Sequence, residues 1–164
     1  IVIACNTVSG VALDVVMKHA NVPVVGVIHP GAAAAVAASK KKRVGVIGTV
    51  ATINSRAYNN AIRQLDPEVQ VFAQACPLFV PLAEEGWTHH KATELIAKEY
   101  LFPLKLEKID TLVLGCTHYP LLAPAIGRVA GDGVTLVDGA PIYSAKDLKV
   151  GLFSPEQLAA GVKG

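Results

Sequence analysis

The chain has 164 residues, 52% of them hydrophobic but only 5% aromatic, with a formal net charge of +2. At that length about two-thirds of the unfolded surface is buried on folding, so a core of Val, Ile, Leu and Ala is expected and a disordered chain is excluded. The small charge calls for neither nucleic acid nor a membrane surface, no apolar run approaches the roughly 20 residues of a bilayer span, and no signal peptide is expected; three cysteines without a CxxC pair fit a reducing, cytoplasmic compartment.

The first apolar run, Ile1 to Ile3, reads as a buried parallel strand ending on Ala4-Cys5-Asn6-Thr7, and Val8 to Met17 reads as a helix. Pro23 to Ile28 reads as a second strand. His29-Pro30-Gly31 then turns into an alanine-rich helix, Ala32 to Ser39, with Pro30 acceptable in a first turn. Lys40 to Arg43 is the only basic run, and it lies where that helix ends. Cations complement a helix carboxyl terminus, so a solvated cap is expected there rather than a nucleic-acid contact.

Val44 to Ile47 is the next strand, leading through Gly48-Thr49 into a helix from about Thr52 to Leu65 that Asp66-Pro67 stops. The strand Val69 to Phe72 leads to Cys76-Pro77 and an apolar stretch up to Leu82, broken by Glu84-Glu85-Gly86-Trp87. Ala92, Leu95, Ile96 and Tyr100 recur at helical spacing, which predicts an amphipathic helix over Thr88 to Leu101 with that face on the sheet. Thr111 to Leu114 is a strand, Leu121 to Val129 a helix and Val134 to Val137 the last strand. Gly139 to Gly164 has no clear period. Alternation of this kind argues for an α/β fold with a doubly wound parallel sheet. The chain opens at Ile1, inside what reads as a core strand, and its only methionine is Met17, so a piece of a longer protein is expected.

Ala4-Cys5-Asn6-Thr7 and Gly115-Cys116-Thr117-His118 read alike, each placing a cysteine at the carboxyl end of a strand and near a helix amino terminus. Open α/β sheets bind ligands there. A thiol with a reference pKa of about 8.5, lowered by a helix terminus or nearby donors, serves as base or acid near neutrality. If the strand ends face one another, one thiolate removes a proton from a carbon and the other thiol returns one to the opposite face, giving the mirror image. Asn6, Thr7, Thr117 and helix-terminal N–H groups would bind carboxylates and offset carbanion charge. His118 would tune or relay protons for Cys116.

Other features read more plainly. Cys76, beside a proline in apolar surroundings, is expected to be a buried core thiol. The cysteines are too scattered for a zinc site, so no metal is expected. His29 reads as a turn residue, and His89 and His90 as a solvated helix start. Gly45 to Thr49 lacks both phosphate-loop spacings, and close strand-to-helix packing explains it better. A cysteine hydrolase built on Cys116 and His118 is disfavoured, because residues two apart on a strand-to-helix turn need not face each other and no third orienting group is evident. On the residues alone Glu84 and Glu85 are a solvated loop pair.

Four blocks in order, IVIACNT at 1 to 7, GVIGTVATI at 45 to 53, CPLFVPLAEEGW at 76 to 87 and GCTHYPLL at 115 to 122, closely resemble the glutamate racemases of the aspartate/glutamate racemase superfamily. The likeness runs from Ile1 to about Val137. It implies two pseudosymmetric α/β domains with substrate between them, two cysteine bases, no cofactor and no metal. It also implies interconversion of L- and D-glutamate for bacterial cell-wall peptidoglycan, and a homodimeric parent. The resemblance assigns Cys5 and Cys116 as catalytic thiols, and Asn6, Thr7, Thr117 and His118 as substrate contacts. His118 also assists Cys116, Glu84 matches a carboxylate near that side, and Thr49 and Thr52 are further substrate contacts. Residues 1–20 would then be a remnant of a first domain, 21–118 a second domain, 119–138 a return toward the first, and 139–164 an irregular tail. Family members begin with a segment carrying an Asp-Ser pair and later a Pro-Tyr-Gly element, neither of which occurs in this chain. A racemase for aspartate or another acidic amino acid, and a fragment that folds but lacks half of the pocket, are the alternatives.

Overall fold

The two unbroken apolar runs around Val46 and Val113 become the central strands of the fold, seen in a computed structural model that describes residues 1–138. In chain order the elements are β1 (Val2–Ile3), α1 (Asn6–Val11), α2 (Leu13–His19), β2 (Val25–Gly26), α3 (Ile28–Ala38), β3 (Arg43–Gly48), α4 (Val50–Ser55) and α5 (Ala57–Leu65). They continue as β4 (Gln70–Ala75), α6 (Phe79–Glu84), α7 (Lys91–Leu106), β5 (Thr111–Gly115), a 3-10 turn (Tyr119–Leu122), α8 (Ala123–Ala130) and β6 (Thr135–Val137). Every strand pair is parallel. β1 and β2 form a two-stranded layer, and a four-stranded sheet runs β4-β3-β5-β6.

Alternate residues of a strand point to opposite faces. Val44, Val46 and Val113 therefore pack with Ile28, Ala32 and Ala35 of α3 and with Tyr58 and Ile62 of α5. Ile47, Leu112 and Leu114 pack on the other face with Phe79 of α6, Leu101 of α7 and Ile126 of α8. Helices on both faces explain why the central strands lack a polar alternation. The expected α/β parallel architecture is present.

From β3 the chain goes to β4 on one side, then crosses back to place β5 on the other. Strand order reverses between β3 and β5, and in such sheets the ligand crevice opens there, beyond the carboxyl ends. At that point the register sets Gly48 opposite Gly115. A Cβ on Gly115 would lie 2.7 Å from the Ile47 carbonyl oxygen, and one on Gly48 would lie 3.1 Å from the Thr52 side chain. Close packing is thus what the glycine segment at 45–48 provides.

Several boundaries differ from expectation. The helix after Cys5 breaks at Ala12 (φ −133°) into α1 and α2. β2 shrinks to Val25–Gly26 because Ile28, buried in the core, already opens α3. His29-Pro30-Gly31 therefore forms the start of that helix and not a separate turn; the N–H that Pro30 lacks is among those a helix leaves unpaired. The expected helix from Thr52 to Leu65 is split at Arg56, which adopts φ +55°. β4 continues to Ala75 because its register with β3 runs on to Gly48.

α7 starts at Lys91, with the exposed His90 as its cap, His90 Nδ1 accepting from the Ala92 N–H at 3.1 Å. It runs through Pro103 to Leu106, since burial of Leu101 and Leu104 offsets the hydrogen bond that proline removes. Its inward face is Thr93, Ala97, Leu101 and Leu104, leaving Leu95 54% exposed where it was expected to face the sheet. Thr93 Oγ1 donates to the Trp87 carbonyl at 2.6 Å and fixes that rotation, and the small Ala97 admits close approach.

Residues 119–138, expected to return toward a first domain, stay on the four-stranded sheet: β6 pairs with β5, and α8 packs beside α7. β1 and β2 share one layer, so the expected division after residue 20 falls inside it. The irregular tail expected over 139–164 lies outside the described residues. Among the described residues no helix is long and apolar enough to cross a membrane.

The basic run faces acidic neighbours. Backbone N–H groups of Lys40 and Lys41 donate to Asp110 at 2.7 and 2.6 Å, and the Ser39 hydroxyl donates at 2.6 Å. Lys42 pairs with Asp66 at 3.2 Å and with Glu68, and Arg43 with Glu107 at 2.9 Å. The charges of Lys42 and Arg43 thus meet carboxylates of other segments and not the expected carboxyl terminus of α3, whose last turn holds no basic residue.

Candidate functional site

Cys116 follows directly on β5, whose five residues are all buried, and is itself 7% exposed. Its Sγ lies 3.8 Å from His118 Nδ1, and His118 Nε2 lies 3.3 Å from Glu84 Oε1 at the end of α6. A carboxylate only accepts, so this contact calls for the proton on Nε2 and leaves the Nδ1 lone pair toward the thiol. Burial pushes the Cys116 thiol above its ordinary value; the His118 N–H opposes this, the charge of Cys5 reinforces it, and the Tyr119 N–H and Thr117 hydroxyl oppose it again. The raised thiol of Cys116 thus faces His118 Nδ1. The Glu84 side chain is 62% exposed, so its pairing with His118 adds little stability and acts on the orientation of the ring. Cys116 and His118 do face each other despite their short spacing, and Glu84 supplies a third group. The solvated-loop reading of Glu84 is corrected accordingly.

Cys5 lies between β1 and α1, is exposed, and caps α1 without a side-chain hydrogen bond. Its charge is among the influences that raise the Cys116 thiol. Asn6 is buried, with its Oδ1 accepting from the Tyr58 hydroxyl at 2.7 Å. Thr7 Oγ1 meets Thr49 Oγ1 at 2.8 Å and Thr52 Oγ1 at 3.0 Å, and the last two are 3.0 Å apart. Thr49 also caps α4 by accepting the Thr52 N–H at 3.2 Å. Three hydroxyls in a triangle satisfy one another and can turn a proton outward to an anion. Thr52 is buried while Thr7 and Thr49 are half-buried, so those two can present that donor. Thr117 is exposed beside Cys116.

All of the sequence-predicted site residues thus fall near the ends of β1, β3 and β5 or, for Glu84, behind His118. Cys76 is fully buried, burial pushes its thiol far above the ordinary range, and it belongs to the core as expected. His29 and His89 are exposed. Among the described residues no group of three or more His, Cys, Asp or Glu is placed to hold a metal ion. The residue that the sequence reading missed is Tyr58. A lone tyrosine in a helix carries no signal of a partner in Asn6, far away along the chain.

Known proteins share the sequence and the fold of this chain. The profile of the Asp/Glu/Hydantoin racemase family matches residues 1–145. A glutamate racemase of Geobacter metallireducens is 55% identical over 140 residues, which is 85% of this chain and 52% of the relative. Among solved structures, a glutamate racemase isoform from Bacillus anthracis superposes with a TM-score of 0.79 at 43% identity, over 83% of this chain and 51% of that one. The Francisella tularensis glutamate racemase, solved in complex with D-glutamate, gives a TM-score of 0.76 at 40% identity, over 84% of this chain and 51% of that one. The chain spans about half the length of the curated relatives it matches.

Proposed function

The chain belongs to the Asp/Glu/hydantoin racemase family, and from that premise we propose that it carries the two thiol bases of a glutamate racemase whose remaining residues complete the pocket. The observation that carries this reading is that Cys5 and Cys116 each follow the carboxyl end of a strand, with His118 and Glu84 behind one thiol and the threonine triangle beside the other.

In the forward direction His118 Nδ1 accepts the Cys116 proton and the thiolate removes the α-proton. Cys5, protonated, delivers a proton to the opposite face; in reverse Cys5 removes the proton and Cys116 returns it. The cycle is an isomerisation, and it needs no oxidant and no cofactor. Thr7, Thr49, Thr117 and Asn6 donate to the substrate carboxylates, and Thr52 holds the hydroxyl triangle together. The two-stranded layer is in this reading what the chain retains of a first domain. The enzyme would act in the cytoplasm, supplying D-glutamate to peptidoglycan synthesis.

The test is loss of the α-proton signal of L- and D-glutamate in deuterated water, with the full-length parent and with this chain. Cys5→Ser or Cys116→Ser in the parent should slow exchange about 10³-fold. Faster turnover of aspartate than glutamate would replace the substrate. Exchange by the parent but not by this chain would mark the chain as a folded but incomplete half.

A further inference from the structure

Tyr58, near the start of α5 and 4% exposed, touches both cysteine-bearing segments. Its hydroxyl donates at 2.7 Å to Asn6, the neighbour of Cys5. Its ring lies so close to Gly115, the neighbour of Cys116, that a Cβ there would come 3.3 Å from Cε2. From a third side, a Cβ on Gly31 of α3 would fall 2.9 Å from the hydroxyl and 3.2 Å from Cε1. Two glycines and one amide thus fix a single ring position.

We propose that Tyr58 is a positioning residue for the two-thiol reaction: its hydroxyl locks the Asn6 amide so that Nδ2 faces the substrate carboxylate, and its ring sets the spacing between the strand ends that carry Cys5 and Cys116. With Oδ1 held on the Tyr58 side, the opposite end of the amide is left as a pure donor. Burial pushes the Tyr58 hydroxyl well above its usual range, so the lock keeps its proton at neutral pH. Were the hydroxyl absent, that bond would no longer hold the Asn6 acceptor away from the anion. The inference rests on the two-thiol reading above for its functional meaning, but the lock itself is a separate geometric claim.

Steady-state kinetics and amide NMR on the full-length parent test it. Phenylalanine keeps the ring and removes the donor, so Tyr58→Phe should raise KM for glutamate about tenfold with kcat changed by less than about threefold, the size of a lost partner for one buried acceptor. Gly31→Ala lies outside the site and improves helix propensity, yet it should raise KM by crowding the hydroxyl. That effect should largely vanish in the Tyr58→Phe background. Tyr58→Phe combined with Asn6→Ala should be no worse than Asn6→Ala alone, since both remove the same interaction. A KM within about twofold of wild type for Tyr58→Phe, or effects that multiply with Asn6→Ala, overturns the proposal. If activity survives Cys5→Ser, the two-thiol reading fails, and the lock is then judged on the Asn6 side-chain NH2 resonances alone: a shift on Tyr58→Phe upholds it and unchanged resonances overturn it.

Discussion

Cys5 and Cys116 end parallel strands in matching sequence contexts, yet the layers that hold them differ in almost every physical respect. β5 has five buried residues between two partners, while β1 has two residues, one partner, and Val2 51% exposed. The thiol on β5 is buried and backed by His118 and Glu84; the thiol after β1 is exposed. What stitches the small layer is Ser9, whose hydroxyl donates to the Ile3 carbonyl at 2.9 Å and accepts from the Val27 N–H at 3.3 Å. The strand end determines where a thiol stands, and the surrounding layer determines its protonation state and what can relieve it of a proton.

The strongest way to break that comparison is to remove the relay from one side only. His118→Asn in the parent should slow racemisation about 10²-fold. In the proposed reaction the relay serves Cys116 alone, so the α-deuterium isotope effect should grow for the enantiomer whose proton Cys116 removes and stay unchanged for the other. Equal isotope effects for both enantiomers would show that His118 acts on both faces.

A second test concerns the far end of the same strand. Asp110, 8% exposed, precedes β5 and takes three hydrogen bonds from the segment 39–41. Burial pushes its carboxyl up, but the Ser39 hydroxyl and the Lys41 and Lys40 N–H groups together hold it below the ordinary carboxylate value. Asp110→Ala should cost about 2–3 kcal/mol in urea unfolding. The lowered folded value makes this contribution complete above the unfolded carboxylate range and lost as pH falls through the folded value. The variant should therefore lose part of the acid dependence of stability; an unchanged profile would count against the anchoring of β5.

The smallest effect is a direct comparison of the thiols. Iodoacetamide should label Cys5 in this chain about tenfold faster than Cys116 at pH 8, with Cys76 slower still. Since burial raises the Cys116 thiol, its labelling should go on accelerating above the pH at which an ordinary thiol levels off. Equal rates would mean that the two layers do not treat their thiols differently.

Local sequence specified the central sheet well, because strands buried on both faces announce themselves as unbroken Val, Ile and Leu. Matching cysteine contexts at two strand ends likewise singled out the residues on which the proposed function rests. What failed to show locally was backbone geometry that neighbours impose. Arg56 is no natural occupant of a left-handed conformation, so the break between α4 and α5 carries no sequence mark. α7 runs past its expected end at Leu101 and through Pro103, with Leu104 buried beyond it. The Glu84 contact with His118 and the Tyr58 contact with Asn6 join distant parts of the chain, and neither residue type implies its partner.

β3 acquires its two neighbours at different times. β4 follows it after the short helices α4 and α5, whereas β5 comes only after α6 and α7. Until then one edge of β3 offers Val44, Val46 and Ile47 with unpaired backbone groups, an invitation to strands of neighbouring molecules. Parallel pairing over so long a stretch of chain is slow. The late strand is the same one that ends in Cys116, so a chain caught before β5 inserts lacks one thiol position and exposes an aggregation edge at once. Pairing of that single strand thus closes the edge of β3 and sets the Cys116 position together.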